Sequence, residues 1–256
     1  MKLTLMLLRG LSRQQAHWGC FPKQLASALL AEGVASEFVF EDLPGFGARF
    51  QEPSPASIED IADLLAPSLE QISGQVQLLG LSMGGMLALE LAHRYPEKCQ
   101  SLVMINSSVR PVARFYQRLQ PGAYPAFLKA WFHPLKYSSE RQILSISTEK
   151  YQQDEALLDT WLGYRKSHPP SRVAALKQML AAAHYQAPSQ KPINRVLLIA
   201  SRKDRIASYR CTEQLADYWG LSPLIHATAG HDLPLDEPEW LVERLVNWYV
   251  ENLNIL

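Results

Sequence analysis

A serine flanked by glycines occupies residues 80–84 (GLSMG), between an apolar run and a segment with helical periodicity. A nucleophilic serine must project from a sharp turn between strand and helix, where nearby backbone segments crowd together. Glycine at positions 80 and 84 removes the β-carbons that would collide there. The amide groups of a helix beginning at Met83 would face the charge developing beside the serine. The pattern predicts that Ser82 is a nucleophile; an incidental serine in a glycine-rich turn is the alternative.

A serine hydroxyl needs a base to take its proton, and the base needs an acid to fix its tautomer. Asp204 follows one predicted strand and His231 follows the next. The carboxyl ends of parallel strands share one edge of a sheet, so Ser82, Asp204 and His231 are expected to meet there. We predict that His231 is the base and Asp204 the acid.

Other residues compete for these two roles. His226 is a rival base, although its position inside an apolar strand favours packing in the core. Asp232 and Asp236 are rival acids, but both lie too close to His231 in sequence to orient it easily. Asp204 could also be only a turn residue among basic neighbours, and His231 could only cap a loop.

Acyl transfer also requires two backbone amide donors that stabilise the oxyanion of the tetrahedral intermediate. The amide of Met83, next to the nucleophile, is one candidate. The other is expected in the loop after the first strand, where Gly10 permits a tight backbone, and we assign it to the amide of Leu11.

Short apolar runs alternate with longer helical segments, which is typical of βαβ units around a mostly parallel sheet with flanking helices. Strands are predicted at residues 3–8, 37–41, 76–80, 101–106, 195–200 and 223–227. Helices are predicted at residues 21–33, 83–95, 209–219 and 238–253, with another to about residue 72 that Ser57 caps.

This rhythm is lost between residues 110 and 190, which are rich in aromatic residues, helix formers and prolines. We expect an α/β core formed by residues 1–109 and 191–256, with residues 110–190 inserted as a helical cap, or lid, over the site. Its aromatic residues suit either an acyl pocket or packing between cap and core, and they include Tyr124, Phe127, Trp131, Phe132 and Trp161.

Composition limits the class of protein. The formal net charge is zero, which argues against nucleic acid as a partner. No apolar stretch approaches the roughly 18 residues of a membrane span, and the short N-terminal apolar run lacks a signal-peptide cleavage site. Three widely separated cysteines fit neither a metal site nor a disulfide framework, so we expect packed thiols and a cytoplasmic protein.

These motifs together resemble the α/β-hydrolase superfamily, particularly its small capped esterases of the BioH carboxylesterase type. The resemblance rests on the serine turn, on DLPGFG at residues 42–47, on KDR at 203–205, and on GH at 230–231 followed by DEP at 236–238. The family usually has histidine before the oxyanion-loop glycine, where this chain has Arg9. A salt bridge between Arg9 and a core acid is expected, with substrate contact as the alternative.

The leading hypothesis is therefore hydrolysis of a carboxylic ester or thioester through an acyl-enzyme, with no metal or organic cofactor. A lyase or C–C hydrolase using the same triad is the first alternative, and a non-catalytic binding module on the same fold is the second. Residues 110–190 contain eleven Lys and Arg against five Asp and Glu. Such a basic segment would favour an anionic or carrier-bound substrate, although it would equally suit a solvated helix surface.

Overall fold

The structure, a computed structural model, describes residues 2–132 and 136–252. Six parallel strands form one sheet in the order β2-β1-β3-β4-β5-β6. The strands are β1 (Lys2–Leu8), β2 (Ala35–Glu41), β3 (Val76–Leu81), β4 (Cys99–Ile105), β5 (Val196–Ser201) and β6 (Leu224–His226). Parallel strands need crossover connections, so helices cover both faces of this sheet.

The helices fall into two sets according to their place along the chain. Those of the core are α1 (Phe21–Ala31), α2 (Ile58–Gln71), α3 (Met83–Arg94), α9 (Arg210–Trp219), α10 (Leu233–Asp236) and α11 (Pro238–Asn252). Those between β4 and β5, here called the inserted helices, are α4 (Phe115–Arg118), α5 (Tyr124–Phe132), α6 (Lys136–Ser147), α7 (Glu155–Ser167) and α8 (Arg172–His184).

Alternate side chains of the central strands pack into two separate apolar cores, one on each face of the sheet. In β1, Leu5 and Leu7 pack with α1 and α11 on one face of the sheet. Met6 and Leu8, on the other face, pack with α2 and α3. Burial on both faces explains why β1 and β3 are mostly apolar rather than alternating sequences.

The predicted elements agree with the observed ones to within about two residues at each end. Ser57 caps α2 as expected, because its Oγ accepts a hydrogen bond of 3.0 Å from the amide of Asp60. The last helix was predicted to reach Leu253, which lies outside the described residues. The described part of residues 110–190 forms helices and no strand, with a single bridge between Arg110 and Gln186.

The cysteines are not all packed as predicted. Cys99 and Cys211 are buried, and burial raises the pKa of each thiol to about 12. Cys20 is exposed, because it lies in the surface turn that starts α1. Within residues 2–132 and 136–252, every helix is too short or too polar to span a bilayer.

Candidate active site

Ser82 lies in a strained turn at the carboxyl end of β3. Its φ of 58° and ψ of −122° are rare for a residue with a side chain, and such strain concentrates at functional sites. The turn is fixed from both sides: the amide of Ser82 donates to the carbonyl of Ile105 at 2.8 Å, and the hydroxyl of Ser107 donates to the carbonyl of Ser82 at 2.8 Å. The sequence therefore builds the sharp serine turn that the motif predicts.

The flanking glycines are required because backbone segments meet closely around this turn. A β-carbon on Gly80 would lie 2.2 Å from the carbonyl oxygen of Gly84, and one on Gly84 would lie 2.1 Å from that of Leu8. A β-carbon on Gly10 would lie 3.0 Å from that of Ser82. The last contact places the loop after β1, residues 9–14, directly against Ser82; we call it the β1 loop.

Asp204 and His231 contact each other at the carboxyl edge of the sheet. Oδ2 of Asp204 lies 2.7 Å from Nδ1 of His231. Oδ1 of Asp204 accepts hydrogen bonds from the amides of Ile206 and Ala207, at 2.7 and 3.0 Å. Because a carboxylate can only accept, the neutral imidazole carries its hydrogen on Nδ1 and leaves Nε2 as the basic nitrogen.

Asn106, which follows β4 and has a φ of 47°, holds the histidine loop to the sheet. Its Nδ2 donates to the carbonyl of His231 at 2.7 Å, and its Oδ1 accepts from the amide of Ser201 at 2.7 Å. From the sequence, Asn106 was predicted only as the last residue of a strand, without a functional role. Its position, a polar residue after a central strand at the edge where Ser82 and Asp204 lie, is a signal that could have identified it.

The three rival residues have other partners. His226 is half-buried at the end of β6 rather than packed in the core; its Nδ1 accepts from the amide of Ala229 at 3.0 Å and its ring packs on Trp240. Asp236 is fully buried and accepts from the amides of Gly230 and Glu149, both at 2.8 Å. Burial raises the pKa of Asp236, although these amides oppose the shift.

Arg9 forms a buried ion pair with the third rival, Asp232. Its two terminal nitrogens donate to the two carboxylate oxygens at 3.1 and 2.5 Å, and its guanidinium lies 4.9 Å from the centre of the Trp18 ring. The expected salt bridge between Arg9 and a core acid is confirmed. The pair connects the residue before Gly10 to the residue after His231.

Arg13 connects the β1 loop to two of the inserted helices. It donates to Oε2 of Glu140 in α6 at 2.9 Å, and its guanidinium lies 4.1 Å from the centre of the Trp161 ring in α7. Arg165 of α7 donates to the other oxygen of Glu140 at 2.8 Å. Burial alone would raise the pKa of Glu140, but the two arginines outweigh it and hold that pKa below its ordinary value.

Gln178 of α8 forms a further link to the core loops. Its side chain is fully buried; Oε1 accepts from the amide of Ser12 at 3.0 Å, and Nε2 donates to the carbonyl of Pro44 at 3.4 Å. One turn earlier on α8, Ala174 lies close to Gly45. A β-carbon added to Gly45 would lie only 2.5 Å from the β-carbon of Ala174. The helix is therefore packed tightly on the turn at residues 42–47.

A cavity of about 580 Å³ opens beside Ser82 and His231. This volume is within the range of small-molecule sites. Side chains from the β1 loop and from α5, α6, α7 and α8 line its walls, and those on the inserted helices include Phe127, Leu128, Trp131, Phe132, Leu176 and Met179. Of the five aromatic residues named from the sequence, Tyr124 is exposed at the surface and Trp161 packs on Arg13 instead.

Within the two described ranges, no group of three or more His, Cys, Asp or Glu side chains could hold a metal ion. Asp204, His231 and Asp232 instead have the protein partners given above.

Comparison with known proteins gives both sequence and structural relatives. Residues 5–244 match the model of the alpha/beta hydrolase family. The chain is 27% identical over 246 residues to the biotin biosynthesis bifunctional protein BioHC of Teredinibacter turnerae, covering 94% of this chain and 40% of that protein. It is 31% identical over 160 residues to the pimeloyl-[acyl-carrier protein] methyl ester esterase of Yersinia pseudotuberculosis, covering 60% of this chain and 57% of that protein.

Each alignment thus spans less than two thirds of the relative's own length. Among solved structures, a thermophilic esterase from Thermogutta terrifontis superposes with a TM-score of 0.73 at 21% identity, covering 97% of this chain and 90% of that one. At this identity the likeness shows a shared fold. The family match extends over nearly the whole sheet and its helices, and the chain belongs to the alpha/beta hydrolase family.

Proposed function

We propose that the chain is a serine hydrolase that cleaves a carboxylic ester or thioester through an acyl-enzyme intermediate. The observation that carries the proposal is the 2.7 Å contact between Asp204 and His231 at the cavity that Ser82 also lines. Ser82 is the nucleophile, His231 is the general base and Asp204 orients the imidazole. The strained serine turn and the family membership support the same assignment.

The reaction begins when Oγ of Ser82 attacks the substrate carbonyl while Nε2 of His231 takes its proton. The amides of Leu11 and Met83 stabilise the oxyanion; Leu11 adjoins Gly10, which abuts Ser82, and Met83 starts α3. His231 then protonates the leaving alcohol or thiol. It next takes a proton from water, which attacks the acyl-enzyme. His231 then returns that proton to Oγ of Ser82 as the acid is released.

We assign residues 110–190 as a cap over a core of residues 1–109 and 191–256. Four of the inserted helices contribute side chains to the walls of the cavity. A substrate bound between cap and core would therefore reach Ser82 through a cavity that these helices line.

The favoured substrate class is an ester or thioester on an anionic or carrier-bound acyl group. Residues 110–132 and 171–190 together hold six Lys or Arg and no Asp or Glu. Leu128, Phe132, Leu176 and Met179, which are at least 38% exposed, lie where these segments meet the cavity. A basic surface beside an apolar entrance suits an acidic carrier presenting an acyl chain. Of the two relatives compared above, one is named for an acyl-carrier-protein methyl ester.

The first test is hydrolysis of p-nitrophenyl esters of increasing acyl length by wild type and Ser82→Ala. We expect kcat to fall on the order of 10⁴- to 10⁶-fold without the serine hydroxyl. Ser101→Ala is the matched control, because this buried serine lies near the amino end of β4, away from the cavity, and it should retain activity. Equal activity in Ser82→Ala and wild type would overturn the proposal.

A methyl ester carried on acyl-carrier protein then tests the substrate class. Preference for that substrate over the free methyl ester would support a carrier. Ser82 that reacts with a fluorophosphonate in a protein inactive on every ester would instead favour the lyase or C–C hydrolase.

A further inference from the structure

The β1 loop is held from outside the core at two separate points. The first is Ser12, whose φ of 59° is left-handed and unfavourable for a residue with a β-carbon. Its amide donates to the buried carboxamide of Gln178 on α8, which is itself oriented by the carbonyl of Pro44. A glutamine with both ends engaged by backbone groups, and with no exposed surface, fixes the position of the amide that it accepts from.

The second point is Arg13, one residue further along the same loop. Its guanidinium is held by Glu140 on α6 and lies over Trp161 on α7. Arg13 also closes a turn, since its amide donates to the carbonyl of Gly10 at 3.2 Å. Glu140 is shared with Arg165, so residues of both helices form one charged cluster around the buried Glu140 side chain.

Leu11 lies between these fixed points. On one side Gly10 packs against Ser82, and on the other side Ser12 and Arg13 are bonded to the inserted helices. A peptide amide between two restrained neighbours has little freedom to move away from the serine.

We infer that Gln178 and Glu140 are positioning residues, which hold the amide of Leu11 where it stabilises the oxyanion. The inference rests on the proposed function. The inserted helices then do more than cover the cavity, because they complete the catalytic geometry from a distance. Gln178 acts through the backbone amide of Ser12, and Glu140 acts through the side chain of Arg13.

This role predicts a specific kinetic defect. Loss of an oxyanion donor typically lowers kcat by 10²- to 10³-fold, and displacement of a donor by about 1 Å has an effect of similar order. Gln178→Met keeps the length of the side chain and removes both hydrogen bonds. We expect kcat to fall by about 10- to 100-fold while KM changes by less than about threefold, because the donor acts mainly on the transition state.

The experiment compares wild type, Gln178→Met and Gln178→Glu in three assays. These are ester hydrolysis, the rate at which a fluorophosphonate labels Ser82, and the affinity for a trifluoromethyl ketone that forms an oxyanion with Ser82. Gln178→Met should weaken ketone affinity by the same factor as kcat. Gln178→Glu retains an oxygen that accepts from Ser12, and the protonated acid can still donate to the carbonyl of Pro44, so this variant should recover most of the rate.

Gln117→Met is the matched control. Gln117 is also a glutamine of the inserted helices whose Oε1 accepts from a backbone amide, that of Arg114 at 3.2 Å, but it does not contact the β1 loop. A melting temperature measured for every variant shows that the protein is folded. Equal losses in Gln117→Met and Gln178→Met, or a larger effect on KM than on kcat, would overturn the inference.

Failure of the proposed function gives a different result. Labelling that persists in Ser82→Ala would overturn the proposed function itself. Labelling that requires Ser82 but proceeds equally fast in wild type and Gln178→Met would overturn only the positioning role.

Discussion

Arg9 in the β1 loop and Asp232, the residue after His231, form a bidentate ion pair that links the two loops. Both side chains are almost completely buried, at 2% and 3% exposure. The pair therefore fixes the distance between the two loops that must both face Ser82. A histidine at position 9 could not reproduce this contact, because an imidazole lacks the two parallel N–H donors of a guanidinium.

Breaking the Arg9–Asp232 pair from one side is expected to destabilise the fold. Arg9→Met leaves the buried carboxylate of Asp232 without its partner, and the free energy of unfolding should fall by about 3–5 kcal/mol in urea denaturation. The double variant Arg9→Met/Asp232→Leu removes both charges and should recover most of this loss. Arg49→Met is a control at a more exposed ion pair, with Glu52, and should change stability by less than about 1 kcal/mol. A double variant as unstable as Arg9→Met would contradict this account.

Asp204→Asn should show whether Asp204 orients the imidazole of His231 rather than binding the substrate. The substituted carboxamide can present its NH₂ group to Nδ1 of His231, which favours the wrong tautomer, so kcat should fall by roughly 10³- to 10⁴-fold at neutral pH with little change in KM. The double variant Ser82→Ala/Asp204→Asn should be no slower than Ser82→Ala, because the residues act as one unit. Steady-state kinetics on a p-nitrophenyl ester measures both. Additive losses would show that Asp204 acts independently of Ser82.

His17 should make the stability depend on pH. Burial, with Arg13 and Arg9 nearby, holds the pKa of His17 well below its ordinary 6.5, so the imidazole is neutral in the folded protein. The unfolded chain takes up this proton as the pH falls below about 6.5, which favours unfolding. The free energy of unfolding should therefore decrease from pH 7 to pH 5, with a contribution from His17 that approaches about 1.4 kcal/mol per pH unit.

Urea unfolding at several pH values tests this prediction. His17→Gln should flatten the dependence between pH 7 and pH 5, whereas His184→Gln, at an exposed histidine at the end of α8, should leave it unchanged. The same slope in wild type and His17→Gln would assign the pH dependence to other groups.

Salt should weaken activity on an anionic or carrier-bound ester and leave activity on a neutral ester unchanged. Lys129 and Arg172 are exposed in residues 110–132 and 171–190, which contain no Asp or Glu. The double variant Lys129→Glu/Arg172→Glu should therefore lower kcat/KM for the charged substrate about tenfold at low salt. Lys23→Glu, on α1, is the control of equal chemistry away from the cavity. Parallel salt responses of the two substrates would contradict electrostatic attraction.

Local sequence predicted those parts of the molecule that local physics decides. The alternation of apolar runs with helical segments predicted the parallel sheet, because strands buried on both faces must be apolar throughout. The glycines around Ser82 predicted the sharp turn, because only glycine fits there. Asp204 and His231 were predicted to meet because each follows a strand of the same sheet, and they lie 2.7 Å apart.

Contacts between distant segments were less predictable. Arg9 was expected to pair with a core acid, but its partner is 223 residues away in sequence, and no local pattern selects Asp232. Gln178 was one polar residue in an Ala-rich helix; its burial follows from the packing of α8 on two core loops. Secondary structure in residues 110–190 was predicted only as helical, since no strand rhythm set the boundaries of individual helices.

The close packing of Ala174 against Gly45 has a consequence for engineering by recombination. The specificity of the proposed hydrolase could be changed by grafting a foreign segment in place of residues 110–190. A donor segment with a side chain larger than alanine at the position of Ala174 would clash with the turn that Gly45 forms, and one without a counterpart of Gln178 would release Ser12. In such a chimera the grafted segment would form a new pocket but would also displace these loops. The loops would stay in place only if the segment kept a small residue at the position of Ala174 and a glutamine at the position of Gln178.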